Sequence, residues 1–244
     1  MNRIAIITGT SKGIGQAIQN IFVSNRVRVI SINRNAIEQD HLNHLMNFPF
    51  DLSQISDIAE LATKISKYLY KQHFHELWII NNAATIGNIK KMDENEIETM
   101  EETIQVNLIS PMALTSHLLK DLKPVINKIR VLNISSGAAF QPIHGLGAYC
   151  ISKAGLEMFS KIIALEHADH PSFKSITLGP GVVDTNMQVN IRNSNKSDFE
   201  RIDQFRDFKE KGLLASTDQI AGKILKMMDN DTYESGSFYD INSF

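Results

Sequence analysis

Aliphatic, β-branched runs recur along the chain at Ile4–Thr8, Val27–Ile32, Leu77–Asn81, Ile129–Ile134 and Ser175–Leu178. Each is short and nearly continuously apolar, the pattern of strands buried on both faces. A further strand is expected just before FDL at 50–52. Apolar positions between the runs fall at helical spacing. In QISDIAELATKISKYLY, Ile55, Ile58, Leu61, Ala62, Ile65 and Leu69 share one face, and in GLEMFSKIIALEHA so do Leu156, Phe159, Ile162, Ile163 and Leu165. Both stripes are expected to face the core. Strands alternating with helices predict a parallel sheet whose crossovers cover both sides. Residues 186–214 break this rhythm with a polar, Asn- and charge-rich segment carrying Phe199, Phe205 and Phe208. An insertion of that length late in an alternating fold predicts a substrate lid, with the aromatics either packing it down or touching substrate. With no internal repeat and no Pro-, Gly- or Ser-rich linker, residues 1–244 read as one domain.

Composition narrows the partners. Of 244 residues 43% are hydrophobic, enough for one sizeable core. The formal net charge is −2 and no block of like charges occurs, so neither nucleic acid nor an anionic membrane is an expected partner. The single cysteine excludes an intrachain disulfide. The opening MNRIAIITG passes from a charge directly into a strand-like run, unlike a secretory leader, so a cytoplasmic location is expected. No apolar run approaches the roughly 20 residues that cross a bilayer.

Candidate chemistry begins with TGTSKGIG at 8–15, between the first strand and a helical stretch. Gly9, Gly13 and Gly15 permit a tight turn and close approach of a ligand. The helix that follows offers free N–H groups and the positive end of its dipole. Together with Ser11, Lys12 and Ile14 these glycines form a candidate phosphate cradle, although G-x-x-x-G-x-G departs from the commoner G-x-G-x-x-G spacing. An acid closing the second strand usually accepts from the ribose hydroxyls of NAD. Here SINRN supplies Asn33 and Arg34, and the loop adds Lys12. Two cations and no acid suit a 2′-phosphate, and NADP(H) is the expected cofactor unless both are simply solvated. Asp51, with Leu52 beside it, is placed on the cofactor side; its carboxylate either accepts from the adenine amino group or serves a local turn.

GAYCISKAG at 147–155 sets Tyr149 and Lys153 one helical turn apart. A neighbouring ammonium stabilises phenolate and is expected to lower the Tyr149 pKa toward working pH, making the hydroxyl a general acid and base. Ser136, in NISSGAA at a strand end, can face the same cleft and hold a carbonyl oxygen. His144 either borders substrate or lies at the surface. Cys150, beside Tyr149, points to another helical face and reads as an inert thiol. HLNH at 41–44 and HADH at 167–170 lack a thiol or matching second pair, and no metal is expected.

Taken in order, TGTSKGIG, NNAA at 81–84, Asn107 in VNLISP, NISS, AYCISK and PGVVDT at 180–185 make the chain resemble the short-chain dehydrogenases/reductases over essentially its whole length. That resemblance implies a single-domain Rossmann fold: α/β, a doubly wound parallel sheet of about seven strands with helices on both faces. It implies a catalytic tetrad of Asn107, Ser136, Tyr149 and Lys153. In that scheme Tyr149 protonates the carbonyl oxygen as hydride arrives from the nicotinamide, Ser136 orients the oxygen, and Asn107 holds a water linking Lys153 to solvent. Lys153 also reaches the nicotinamide ribose. Asn82, Ala83 and Ala84 would border the adenosine side, and Pro180, Gly181, Val183 and Thr185 would clasp the nicotinamide half. Ala84 departs from the family's usual glycine, which bears on cofactor affinity and not on chemistry. The resemblance also implies a homodimer or homotetramer, paired through helices that would here be Thr103–Leu122 and Tyr149–His167.

SSGAAFQPIHGLGAYCISKAG and PGVVDTNMQ are similar to the sepiapterin reductase and benzil reductase branch, whose members reduce dicarbonyl compounds with NADPH. SGSFYD resembles the segment in which sepiapterin reductases set an acid against the pterin ring, which puts Asp240 in that role. An apolar diketone would need no such anchor and would suit Met187 and the lid aromatics. The reading is therefore an NADPH-dependent carbonyl reductase acting on a small-molecule ketone or dicarbonyl. Two alternatives remain: an NADP(H)-binding sensor or scaffold without turnover, and an alcohol dehydrogenase working oxidatively.

Overall fold

The computed structural model describes residues 3–35, 44–170 and 172–243. One sheet organises them. Its strands are β1 (Arg3–Thr8), β2 (Arg28–Asn33), β3 (Leu45–Pro49), β4 (Glu76–Asn81), β5 (Lys128–Ile134), β6 (Phe173–Gly179) and β7 (Phe238–Asp240). They lie in the order β3-β2-β1-β4-β5-β6-β7 with every pairing parallel. Ile6 of β1 stands opposite Ile30 on one side and Ile79 on the other. The five runs read from the sequence are all strands, displaced at their ends by at most two residues. β7 is only three residues long and carried no pattern of its own.

Alternation explains why these strands are apolar throughout. Ile4, Ile6, Ile30 and Ile32 point to the face covered by α2 (Ile58–Leu69), α4 (Ser110–Leu122) and α5 (Gly147–Glu166). Ala5, Ile7, Val29 and Trp78 point to the face covered by α1 (Gly13–Ser24) and α8 (Thr217–Asn230). Each of these isoleucines and valines taken out of water contributes about 1.5–3 kcal/mol. α8 opens with a capping box: Ser216 Oγ accepts from the Gln219 amide at 3.2 Å, and Gln219 Oε1 accepts from the Ser216 amide at 2.9 Å.

Two departures from the expected helices matter. The single helix over Thr103–Leu122 is instead α3 (Ile97–Ile104), a π-helical turn over Gln105–Ile109 and then α4. On α5, Leu156, Phe159 and Ile163 are buried as expected, but Ile162 is 44% and Leu165 77% exposed. Those two join Ile151 and Met158 in an outward stripe, because a twenty-residue helix carries apolar residues on two faces and only one meets the sheet. Residues 186–214 form α6 (Asn186–Arg192) and α7 (Ile202–Glu210) with their connections. Among the described residues no helix is long and apolar enough to cross a membrane.

The two ends of the sheet differ. At the end where the strands begin, charged side chains interlock: the Arg130 guanidinium grips Asp231 through Nε at 2.9 Å and a terminal nitrogen at 2.7 Å. Lys128 reaches both Asp231 at 3.1 Å and Glu76 at 3.0 Å, and Glu76 also takes Arg3 at 3.1 Å and the Trp78 indole at 3.0 Å. Burial alone would raise the Asp231 carboxyl, yet hydrogen bonds from Arg130 and Lys128 pull it far below the usual carboxylate range. At the end where the strands finish lies a large cavity. In an open parallel sheet that is where ligands bind.

Candidate active site

β1 ends at Thr8, and the chain turns at Gly9 with φ of 73°, a conformation a side chain resists. Thr8 Oγ1 accepts from the amides of Asn82 and Ala83, each at 3.0 Å. Asn82 Nδ2 donates in return to the carbonyls of Thr8 and Gly9. The loop after β4 is thereby stitched onto the glycine loop. Gly15 is required by contact: a Cβ there would stand 2.2 Å from the Gly9 carbonyl oxygen and 2.4 Å from Asn82 Nδ2. Lys12 caps α1 with extended backbone and no side-chain hydrogen bond, so the first amides of α1 remain open to an anion.

These features border a cavity of about 990 Å³. Gly9, Ser11, Lys12, Gly13 and Ile14 line it, as do Asn82, Ala83 and Ala84 across from them. Arg34 lines it at the end of β2, while the neighbouring Asn33 is buried and spends its amide on Thr10, Ser31 and Asn47 at 3.0, 2.8 and 3.1 Å. Asp51 also lines the wall, but its Oδ1 accepts from both the amide and hydroxyl of Ser53, at 3.0 and 2.9 Å. Asp51 Oδ1 thereby serves the local turn. Leu52 lines the wall and its carbonyl accepts from Ser110 Oγ. Pro180, Gly181, Val183 and Thr185 lie opposite, held by a parallel bridge between Val183 and Ala215. A volume of this size, a glycine contact that no Cβ could enter and an uncapped helix N-terminus fit a dinucleotide.

At the far end of the cavity Ser136, Tyr149 and Lys153 come together. Ser136 follows β5, and its hydroxyl accepts from the Ala138 amide at 3.2 Å. Tyr149 is 8% exposed; burial pushes its phenol up to about 12, against a hydrogen bond with Ser136 that pulls it down. The expected sign was the opposite. Lys153 does not reverse it, because Nζ donates to the Ile134 carbonyl at 2.8 Å and sits 5.7 Å from the Tyr149 ring centre. Burial in turn lowers the Lys153 ammonium to about 8. The phenol is thus held protonated beside a comparatively acidic ammonium.

Asn107, 1% exposed, occupies the π-helical turn and does not line the cavity. Its Oδ1 accepts from the Thr85 amide at 2.8 Å, and its Nδ2 donates to the Thr85 carbonyl at 2.8 Å and to Ser152 Oγ at 3.1 Å. With its amide so engaged, the Asn107 side chain braces the loop after β4 against α5. π-helical turns of this kind concentrate at functional sites.

The substrate end corrects other expectations. His144 does not line the cavity: its Nε2 lies 3.8 Å from Glu200, and it faces residues 186–214 rather than Tyr149. Met187, Phe205 and Phe208 do line it, whereas Phe199 is fully buried and packs edge-on against Phe205 with centroids 5.1 Å apart. Asp240 lines the cavity, with Oδ1 accepting from the Asn242 amide at 2.8 Å. Sequence reasoning missed Phe140 and Phe238, which meet edge-on at 4.7 Å and form another wall. The aromatic of GAAFQ, four residues beyond Ser136, was the available signal. Cys150 is half-buried and burial raises its thiol, as suits an inert group. HADH places His167 against Phe173 and Lys123, and HLNH falls outside the described residues except for His44.

Comparison with known proteins accords with this geometry. A family model described as short chain dehydrogenase matches residues 3–196. A benzil reductase ((S)-benzoin forming) of Bacillus subtilis (strain 168) is 35% identical, with 98% of each chain covered. A sepiapterin reductase of Mus musculus is 29% identical over 97% of each chain. Among solved structures, a short chain dehydrogenase/reductase from Saccharomyces cerevisiae superposes with a TM-score of 0.85 at 25% identity, covering 99% of this chain and 96% of that one.

Proposed function

Within the short-chain dehydrogenase family, to which this chain belongs, we propose that it is an NADPH-dependent reductase of a ketone or dicarbonyl. The carrying observation is the buried Tyr149, set with Ser136 and Lys153 on the same cavity as the glycine loop. The cofactor, when bound, supplies a hydride to the carbonyl carbon. Lys12 and Arg34 favour the phosphorylated dinucleotide, since both line the cavity and Asn33 and Arg34, not a carboxylate, stand at the end of β2 among the described residues. Ala84 and the amides opening α1 border the dinucleotide, and Val183 and Thr185 its nicotinamide half.

Ser136 orients the carbonyl oxygen and Tyr149 donates its proton to that oxygen as negative charge develops there. With its pKa raised by burial, the phenol carries at neutral pH the proton that a reduced carbonyl oxygen needs. Lys153, near 8, is the stronger acid of the pair, so returning a proton to the phenolate runs downhill. Residues 186–214 act as the lid, since Ile191, Phe199 and Ile202 already pack with Leu146 and Tyr149.

The aromatic walls of Phe140, Phe238, Phe205 and Phe208 favour an aromatic dicarbonyl over a pterin, whose guanidine-like edge would have to draw Asp240 from the turn it caps. NADPH absorbance followed with benzil, sepiapterin, an isatin and a simple aldehyde, with NADH as control, tests the reading. Consumption with benzil supports it. Cofactor binding without consumption of NADPH with any of these carbonyls would sink it in favour of a sensor.

A further inference from the structure

At the end of the sheet remote from the cofactor cavity, a second hollow of about 370 Å³ is lined by Arg3, Arg26, Arg28, His44, Lys71, Gln72 and His73. Four permanently cationic side chains come from separate places: the start of β1, the turn after α1, the start of β2 and the turn after α2. No carboxylate lines the hollow among the described residues. Arg3 is partly neutralised by Glu76 and Asp229, but Arg26 and Lys71 pair with no acid among the described residues.

Two further observations distinguish this hollow from a scatter of surface charge. The Arg28 guanidinium is oriented in advance, donating to Gln72 Oε1 at 2.8 Å and to the His73 carbonyl at 2.5 Å. Arg26 occupies the left-handed position that ends α1, with φ of 59°, where the Val27 amide bonds back to the Phe22 carbonyl at 2.9 Å. Glycine is the residue that position favours. An arginine that accepts an unfavoured backbone in order to join a cationic hollow points to a ligand for its charge. His44 Nδ1, buried and without a partner among the described residues, adds a polar group.

We propose that this hollow binds a multiply charged phosphate, free or carried by a small organic molecule, at a site separate from the cofactor cavity. Concave walls of one sign concentrate counter-ions, and guanidinium forks match phosphate oxygens in pairs. Lys71 adds a point charge at the rim.

Titration calorimetry of the full chain with inorganic pyrophosphate, at constant ionic strength set by chloride, tests this. One equivalent should bind with NADPH saturating, so that the phosphate cradle of the cofactor cavity is already filled. Fructose 1,6-bisphosphate in a parallel arm distinguishes the carried from the free phosphate, and tighter binding of either one supports the site. Arg28→Gln should weaken pyrophosphate binding at least tenfold while NADPH binding is unchanged. Because Arg28→Gln removes two anchoring hydrogen bonds, Arg26→Gly serves as the second variant: it relieves the backbone, should leave the melting temperature unchanged or higher, and should still weaken binding. Absence of binding with NADPH saturating, or equal affinity in Arg26→Gly, would each overturn the proposal, and neither bears on carbonyl reduction.

Discussion

Ser152 Oγ accepts from Asn107 Nδ2 at 3.1 Å and donates to the Tyr149 carbonyl at 2.7 Å, so one fully buried hydroxyl ties the π-helical turn to the helix that carries the phenol. Ser152→Ala deletes both bonds and leaves part of the Asn107 amide unsatisfied, a cost of about 1–3 kcal/mol in stability. We expect the variant to fold with a lower melting temperature and to lose about tenfold in kcat with little change in KM for NADPH. An unaltered kcat would make Ser152 a purely structural residue.

Tyr149→Phe keeps the ring that packs with Leu146 and Ile191 and removes only the donor. Turnover should fall by roughly a hundredfold or more while NADPH still binds, the pattern of a lost general acid. Stopped-flow measurement of a single turnover, with cofactor fluorescence reporting binding, separates the two effects. Comparable rates in the variant would remove Tyr149 from the chemistry.

Burial of Lys153 has a consequence for stability that runs opposite to the usual alkaline loss. Its ammonium releases a proton near pH 8 in the folded chain but near 10.5 when unfolded, so between those values the unfolded state holds more protons and stability rises with pH, by up to ~3 kcal/mol. Tyr149 acts in the other direction: unfolded it ionises near 10, folded near 12, so its contribution is lost above pH 10. Urea midpoints of the chain without cofactor should therefore climb from pH 8 to 10. Lys153→Met should flatten that climb, and a climb that persists in the variant would assign it to another group.

Cofactor choice should follow charge at the end of β2. Asn33 is committed to Thr10, Ser31 and Asn47, which leaves Arg34 as the side chain there that is open to a 2′-phosphate. Arg34→Asp places an anion beside that phosphate, and the ratio of kcat/KM for NADPH over NADH should drop by about 10–100-fold. An unchanged ratio would place the discrimination in Lys12 and the glycine loop.

Ile151, Met158, Ile162 and Leu165 form an apolar stripe along α5, and Ile109 and Met112 are exposed at the start of α4. We propose that a second copy of the chain covers them, making a homodimer. Light scattering should report about twice 27.4 kDa, and Leu165→Glu combined with Met158→Glu should halve it. A 27.4 kDa species for the unaltered chain would refute the pairing.

How much could be read from the chain beforehand depended on whether the signal was local. The glycine loop and the Tyr149–Lys153 spacing were legible because each function requires a backbone geometry or a helical turn that a few neighbouring residues dictate. Ile162 and Leu165 misled because helical periodicity reports that a face is apolar, not what it packs against. The Tyr149 pKa misled for a related reason: sequence shows a lysine four residues away, but the depth of burial and the carbonyl that engages its ammonium belong to the tertiary fold. His144 lies beside Glu200, more than fifty positions distant, a neighbour that local sequence does not reveal. Phe140 and Phe238 form one wall only because β7 lands beside β6.

The interlocked charges of Arg130, Asp231, Lys128 and Glu76 sit where the strands begin, and the reacting groups sit where they finish. A mutation in the loops around Phe140, Met187 or Asp240 therefore leaves untouched the pairs that hold β4, β5 and α8 in register. Over generations such a chain can change its substrate while inheriting its frame intact, and descent from one ancestor to many specificities needs no refolding along the way.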